Sequence, residues 1–167
     1  MNFEKIKRET NYDVSYINEV MTNFGYMCHS SVVLFKTPLE EFFPKFLDSP
    51  FCKGVEDGNP HFLVGYSGVE MAKEILGKRR KAGYYYTMGD IWTWIGRSIA
   101  LVQWYTCREF KLILEMQPLP VWYQMYTAYH TMDESQLLDW AGGVFLCDKD
   151  SWYYQYMIHG MPDEPWD

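Results

Sequence analysis

The chain reads as a mainly α-helical, single-domain bundle built around one apolar helix at about residues 88–105, with room for one small two-stranded β element pairing 31–35 with 144–147. Three observations carry that reading. Helix start signals recur along the chain, the apolar residues behind them fall at 3.6-residue spacing, and the stretch 88–105 is apolar nearly all round, the pattern of a helix enclosed by others. With 167 residues, 48% of them apolar and 22% charged, the chain has enough material for one core without disulfides or a structural metal.

Tyr12, Tyr16, Ile17, Val20, Met21 and Phe24 form one helical stripe, and Gly25 supplies a stop, which predicts a first helix over 11–24. The β-branched run Ser31 to Phe35 fits either a strand or a buried linker, a choice that periodicity does not make over so few residues. Thr37-Pro38-Leu39-Glu40 then has the order of an N-cap, a first-turn proline and a capping-box glutamate, so a helix carrying Phe42, Phe43, Phe46 and Leu47 is expected to start there and to end before Ser49-Pro50. Residues 53–60 concentrate turn formers and read as a loop. Ser67 and Glu70 form a second capping box, for a helix whose last turn is expected at Lys78-Arg79-Arg80-Lys81 with Gly83 just past it.

The enclosed helix starts at Thr87-Met88-Gly89-Asp90. Its small residues Gly96, Ser98 and Ala100 allow close neighbours, and its polar exceptions Arg97 and Gln103 need hydrogen-bonded partners, with His130 assigned to the same structural polar network. Thr106 is expected to cap a helix through Phe110 and Met116, Pro118 and Pro120 to restart one through Trp122 to about His130, and Thr131 to cap one that ends at Gly142-Gly143. Val144 to Cys147 reads as a short strand or linker, and the segment from Trp152 as a last helix before an acidic tail.

Charge is unevenly placed. Through residue 83 eleven basic residues balance eleven acidic ones; from residue 84 on there are four basic against eleven acidic, which accounts for the whole net charge of -7. All 7 Trp and ten of the 14 Tyr lie in that second part. Acidic surface repels phosphate backbones, so direct nucleic-acid binding is disfavoured; the basic run Lys78, Arg79, Arg80, Lys81 is the one candidate anion or nucleic-acid patch, and helix-end electrostatics already accounts for it. Tyr84-Tyr85-Tyr86 and Trp152-Tyr153-Tyr154-Gln155-Tyr156 cannot all face inward. With Asp163, Glu164 and Trp166 nearby, Tyr84, Tyr85, Trp152, Tyr153 and Tyr156 are the expected partner-binding residues, and a partner protein with a basic surface is the expected ligand.

Catalytic signals are sparse. His29, His61, His130 and His159 never fall in a helical zinc-hydrolase pattern, Gly65-Tyr66-Ser67-Gly68 lacks nucleophile-elbow spacing, and no glycine-rich phosphate loop is present, so neither metal nor cofactor is expected. The enzyme alternative requires Arg97, His130 and Cys107 to converge on one pocket. Four cysteines without a C-x-x-C pair, no secretory leader and no apolar run near the roughly 18 residues of a membrane span make a reduced, cytoplasmic protein the expectation.

Gly58-Asn59-Pro60, Leu63 to Gly68 and Met71-Ala72, then Trp92-Thr93-Trp94-Ile95, Gln103-Trp104-Tyr105-Thr106, Met125-Tyr126 and His130 together resemble a family of small uncharacterised Firmicutes and phage-associated proteins with a Gln-Trp-Tyr-Thr helix, often found near toxin–antitoxin-like genes. Val102, Thr93 and Ala128 stand where that family has tyrosine, glycine and proline. The resemblance covers 58–138, leaving 1–57 as a variable N-terminal part and 142–167 as an aromatic, acidic extension. It implies a non-enzymatic role in bacterial conflict within a host cell, as an antitoxin-like or anti-CRISPR-like inhibitor or regulator of a partner protein.

Overall fold

The computed structural model describes residues 2–77 and 90–146. Among them the fold is helical and contains no strand. Two single 3-10 turns, Phe3–Lys5 and Val14–Tyr16, lead in, the second capped by the Asp13 carboxylate, which accepts from the Ser15 N–H at 2.8 Å. Nine α-helices follow among the described residues: α1 (Ile17–His29), α2 (Leu39–Leu47), α3 (Pro50–Glu56), α4 (Pro60–Val64), α5 (Gly68–Leu76), α6 (Ile91–Thr106), α7 (Phe110–Met116), α8 (Leu119–Tyr129) and α9 (Glu134–Phe145).

The α1–α6 pair is the most extensive contact, with α5 on the other side of α1 and α7, α8 and α9 against α6. A missing side chain on each helix makes that approach. A Cβ at Gly96 would stand 2.2 Å from the Phe24 carbonyl oxygen, and one at Gly25 would stand 3.0 Å from Cγ of Arg97, so the two backbones meet where neither carries a side chain. Ile95, Ile99, Ala100, Leu101 and Val102 are thereby buried along with Val20, Met21 and Phe24 of α1. Phe24, Phe46 and Phe110 close the core from three helices, Phe110 stacking on Phe24 at 5.4 Å and meeting Phe46 edge-on at 5.2 Å.

Gln103 is buried and bonded on both sides. Its amide donates to the Arg108 carbonyl at 3.0 Å, and its Oε1 accepts from Asn11 at 3.3 Å, while Asn11 also reaches the Val55 carbonyl at 3.1 Å. The neighbouring Trp104 donates to the Tyr12 carbonyl at 2.8 Å. These bonds tie the N-terminal strap, the end of α3 and the α6–α7 link to one turn of α6.

Several boundaries differ from the sequence reading, each for a local reason. Gly25 does not stop α1; the helix runs on to His29 and then widens into a π turn over Ser30–Leu34, with the Phe35 N–H donating to the Ser30 carbonyl at 2.9 Å. The segment 31–35 is therefore not a strand. Nor are Val144 and Phe145, which belong to α9, so the two-stranded element does not form; Cys147 lies outside the described residues. Thr37 and Thr106 do not cap helices: α2 and α7 begin after Pro38 and Glu109 with no side-chain cap bond, and the two hydroxyls donate to the Phe35 and Val102 carbonyls at 3.2 and 2.7 Å. Residues 53–56 are helical rather than loop. The Ser67–Glu70 capping box forms, but α5 closes at Gly77, with φ of 64°, instead of at Gly83. Asp90 caps α6 and Asp133, not Thr131, caps α9.

Candidate functional site

Helix α8 is the point of interest, and its position follows from three residues. Pro118 and Pro120 set the start of the helix, Leu119 and Trp122 are its only two buried residues, and the Trp122 indole N–H donates to the Gln117 carbonyl at 3.0 Å. The Trp122 ring meets Trp140 of α9 edge-on at 5.8 Å and Trp94 of α6 at 6.3 Å, anchoring the helix by one side chain between two others.

The rest of α8 faces outward and carries rings. Tyr123 meets Trp92 edge-on at 5.9 Å and its hydroxyl donates to Glu40 at 2.6 Å; burial first, then that carboxylate, raises the phenol above its ordinary range. Tyr126 packs on Trp94 at 5.8 Å and lies parallel to His130 at 4.3 Å. The His130 Nδ1–H donates to the Tyr126 carbonyl at 2.6 Å, which fixes the ring and leaves Nε2 as its other edge. The result is a strip of half-buried rings along the α6–α8 groove, with Val121 and Met132 exposed beside it at 39% and 45%. From Gln117 to Met132 there is no Asp, Glu, Lys or Arg. Carboxylates mark its ends: Glu40 beside Tyr123, Asp133 and Glu134 after Met132.

Beyond His130 the strip ends in a cavity of about 140 Å³. Its floor is Met21, Leu101 and Leu137, its walls include Trp94 and Tyr129, and its polar lining is Arg97, Ser98, His130, Asp133 and Glu134. Arg97 and His130, expected in a buried hydrogen-bond network with Gln103, line this cavity instead. Arg97 lies six residues before Gln103, about 9 Å along the α6 axis, and cannot reach the bonds that Gln103 makes. Cys107 does not join them. It ends α6 in the left-handed region, with φ of 56°, and its Sγ lies 4.0 Å from the Glu9 carbonyl, about 15 Å along the axis from Arg97. Burial raises its thiol, as it raises Cys28 and pushes Cys52 up to about 12, so none of the three is an activated nucleophile.

A second polar cluster escaped the sequence reading. The imidazole of His29, buried at the end of α1, meets the Asp90 carboxylate through Nδ1, and Asp90 also accepts from the Thr93 N–H at 2.8 Å. This pair clamps the start of α6 to the end of α1. The only signal for it was Asp90 in a start motif, and a helix assumed to stop at Gly25 gave His29 no position. The ring strip has no local sequence signal either, because which faces of α6 and α8 carry Trp92, Trp94, Tyr123 and Tyr126 together depends on how the two helices pack.

The expected partner-binding residues Tyr84, Tyr85, Trp152, Tyr153, Tyr156, Asp163, Glu164 and Trp166 and the basic run Lys78, Arg79, Arg80, Lys81 lie outside the described residues. Among the described residues no group of three or more His, Cys, Asp or Glu is placed to hold a metal ion, and no helix is long and apolar enough to cross a membrane. No family model, curated protein or solved structure matches the chain.

Proposed function

We propose that the protein is a protein-binding module that inhibits or regulates a partner, and that the α6–α8 ring strip is part of its contact surface. The observation behind this reading is α8 itself: eleven residues, no formal charge and only two residues buried. A helix that keeps charge off its outer face without burying that face has the composition of an interface core, where Tyr, Trp and Met are enriched and charges depleted. The partner in this reading presents an apolar face fringed by Lys and Arg, matching the carboxylates at the ends of the strip and the net charge of -7. In this proposal Tyr84, Tyr85, Trp152, Tyr153, Tyr156 and Trp166 also contribute to partner binding. The antitoxin-like or anti-defence setting rests on the family resemblance.

The test begins with capture from a bacterial host lysate and continues with the captured protein, purified, in titration calorimetry. Tyr126→Ala and Trp152→Ala are each expected to weaken binding about thirtyfold, the effect of losing an interface hot spot of about 2 kcal/mol, and added salt is expected to weaken it further. Unchanged affinity in a folded Tyr126→Ala protein removes α8 from the surface, and unchanged affinity in both variants overturns the reading.

A further inference from the structure

The cavity at the end of the strip has chemistry that protein binding by α8 does not use. Three helices give it an apolar floor: Met21 is 2% exposed, Leu101 0% and Leu137 5%. A fixed cation stands beside that floor. The stem of Arg97 lies over Gly25, where a Cβ would come within 3.0 Å of its Cγ, so the packing of α1 on α6 sets where the side chain runs.

The state of that guanidinium is the informative point. The two other arginines among the described residues have protein acceptors, Arg8 the Glu9 carbonyl at 3.2 Å and Arg108 the Phe145 carbonyl at 2.8 Å. The guanidinium of half-buried Arg97 makes no hydrogen bond or ion pair among the described residues, although it shares a cavity with two carboxylates. A guanidinium offers five N–H donors in a planar fork, and the acceptor that fits the fork best is a carboxylate or phosphate held by two parallel bonds.

Size and charge choose between those two. A cavity near 150 Å³ holds a benzene-sized molecule, so the 140 Å³ here suits a small ring or branched chain and not a nucleotide or sugar phosphate. Asp133 and Glu134 add negative charge to the lining, and hydrogen bonding from Ser135 holds the Asp133 carboxyl below the ordinary carboxylate range, so it stays ionised. A second negative charge on a ligand would face both carboxylates, whereas a single charge is met by Arg97.

We infer that this cavity binds a small monocarboxylate with a short apolar or aromatic tail, its carboxylate on the Arg97 fork and its tail over Met21, Leu101 and Leu137 against Trp94. This inference does not depend on the protein-binding reading, and neither fails with the other.

Benzoate is a suitable probe, with benzamide as its uncharged counterpart and inorganic phosphate as a compact polyanion, each titrated into the full-length protein by calorimetry and by two-dimensional NMR of the tryptophan indoles. Saturable benzoate binding is expected, with benzamide and phosphate each weaker by about tenfold or more and the Trp94 indole resonance shifting most. Arg97→Gln is expected to lower benzoate affinity by at least about tenfold, and Arg97→Lys, which keeps the charge and loses the fork, by a smaller factor. Absence of saturable benzoate binding overturns the inference. So does equal binding of benzamide, unchanged affinity in Arg97→Gln, or a response centred on tryptophans remote from the cavity. The wild-type benzoate-to-benzamide ratio and the Trp94 shift decide the question even if Arg97→Gln does not fold.

Discussion

Helices α6 and α8 both run with hardly any formal charge, Arg97 being the only charged residue of the first and the second having none, yet eleven of the sixteen residues of α6 are buried and two of the eleven of α8. The difference lies in residue size along the facing surfaces. Gly96 lets α1 come into backbone contact with α6, with Gly25 as the matching gap. On α8, Tyr123 and Tyr126 hold neighbours at ring distance, and only Leu119 and Trp122 reach inward. Absence of charge therefore does not distinguish a buried helix from a half-exposed one; the glycine at the crossing does.

The sharpest check is internal to α8. Trp122→Ala removes a fully buried ring and its hydrogen bond to Gln117, and is expected to cost about 3–5 kcal/mol of stability. Tyr126→Ala, one turn on, loses mainly edge and stacking contacts and is expected to cost about 1 kcal/mol or less. Urea denaturation of both variants tests this. Equal losses would mean that the outer face of α8 is core, and the contrast with α6 would fail.

A second check goes to α6. A methyl at Gly96 meets a backbone carbonyl, which cannot rotate away, so the helices must separate. Against a gain in helix propensity of about 1 kcal/mol, Gly96→Ala is expected to leave a net loss of about 2 kcal/mol or more. Ala128→Leu, on the exposed side of α8, is expected to stay within about 0.5 kcal/mol of the parent. A mild Gly96→Ala in the same denaturation assay would show that the α1–α6 crossing is looser than 2.2 Å implies.

Those two positions also show what was legible in the sequence. Local signals survived: the Ser67–Glu70 capping box, the prolines that start α8 and Asp90 at the start of α6 depend on residues within one turn of each other. Signals whose meaning depends on a distant partner were misread. Gly25 has the sequence appearance of a stop and is a helix contact, because the residue that explains it, Gly96, lies far along the chain. The β-branched run after Cys28 suggested extension, but Ser31 donates to the Cys28 carbonyl at 2.8 Å and the chain keeps coiling. For the site, an aromatic helix could be read from Trp122 to Tyr129, but which rings turn outward is decided by Trp94 and Trp140 on other helices. Arg97 stands out in the sequence as the one charge on an apolar helix, but its cavity requires α8 and α9 to be in place.

The smallest effect concerns how helices end. Both α5 and α6 close on a residue in the left-handed region, Gly77 at φ 64° and Cys107 at φ 56°, whereas α8 closes on right-handed His130 at φ -65°. A side chain in that region costs roughly 1 kcal/mol, so α6 carries a strain that α5 and α8 do not. Cys107→Gly relieves it but loosens the unfolded chain by about 0.4–1 kcal/mol and forfeits the weak thiol contacts at 4.0 Å. The expected net change is a gain of about 0.5 kcal/mol or less. Gly77→Ala, with open space around the new methyl, adds strain of roughly 1 kcal/mol against a stiffening of the unfolded chain of about 0.4–1 kcal/mol, and is expected to lose about 0.5 kcal/mol or less. Paired thermal melts of the two variants should move in opposite directions. A fall for Cys107→Gly would mean that the thiol holds the N-terminal strap at Glu9 more strongly than its 4.0 Å contact suggests, and that the buried helix is secured at its end as well as along its face.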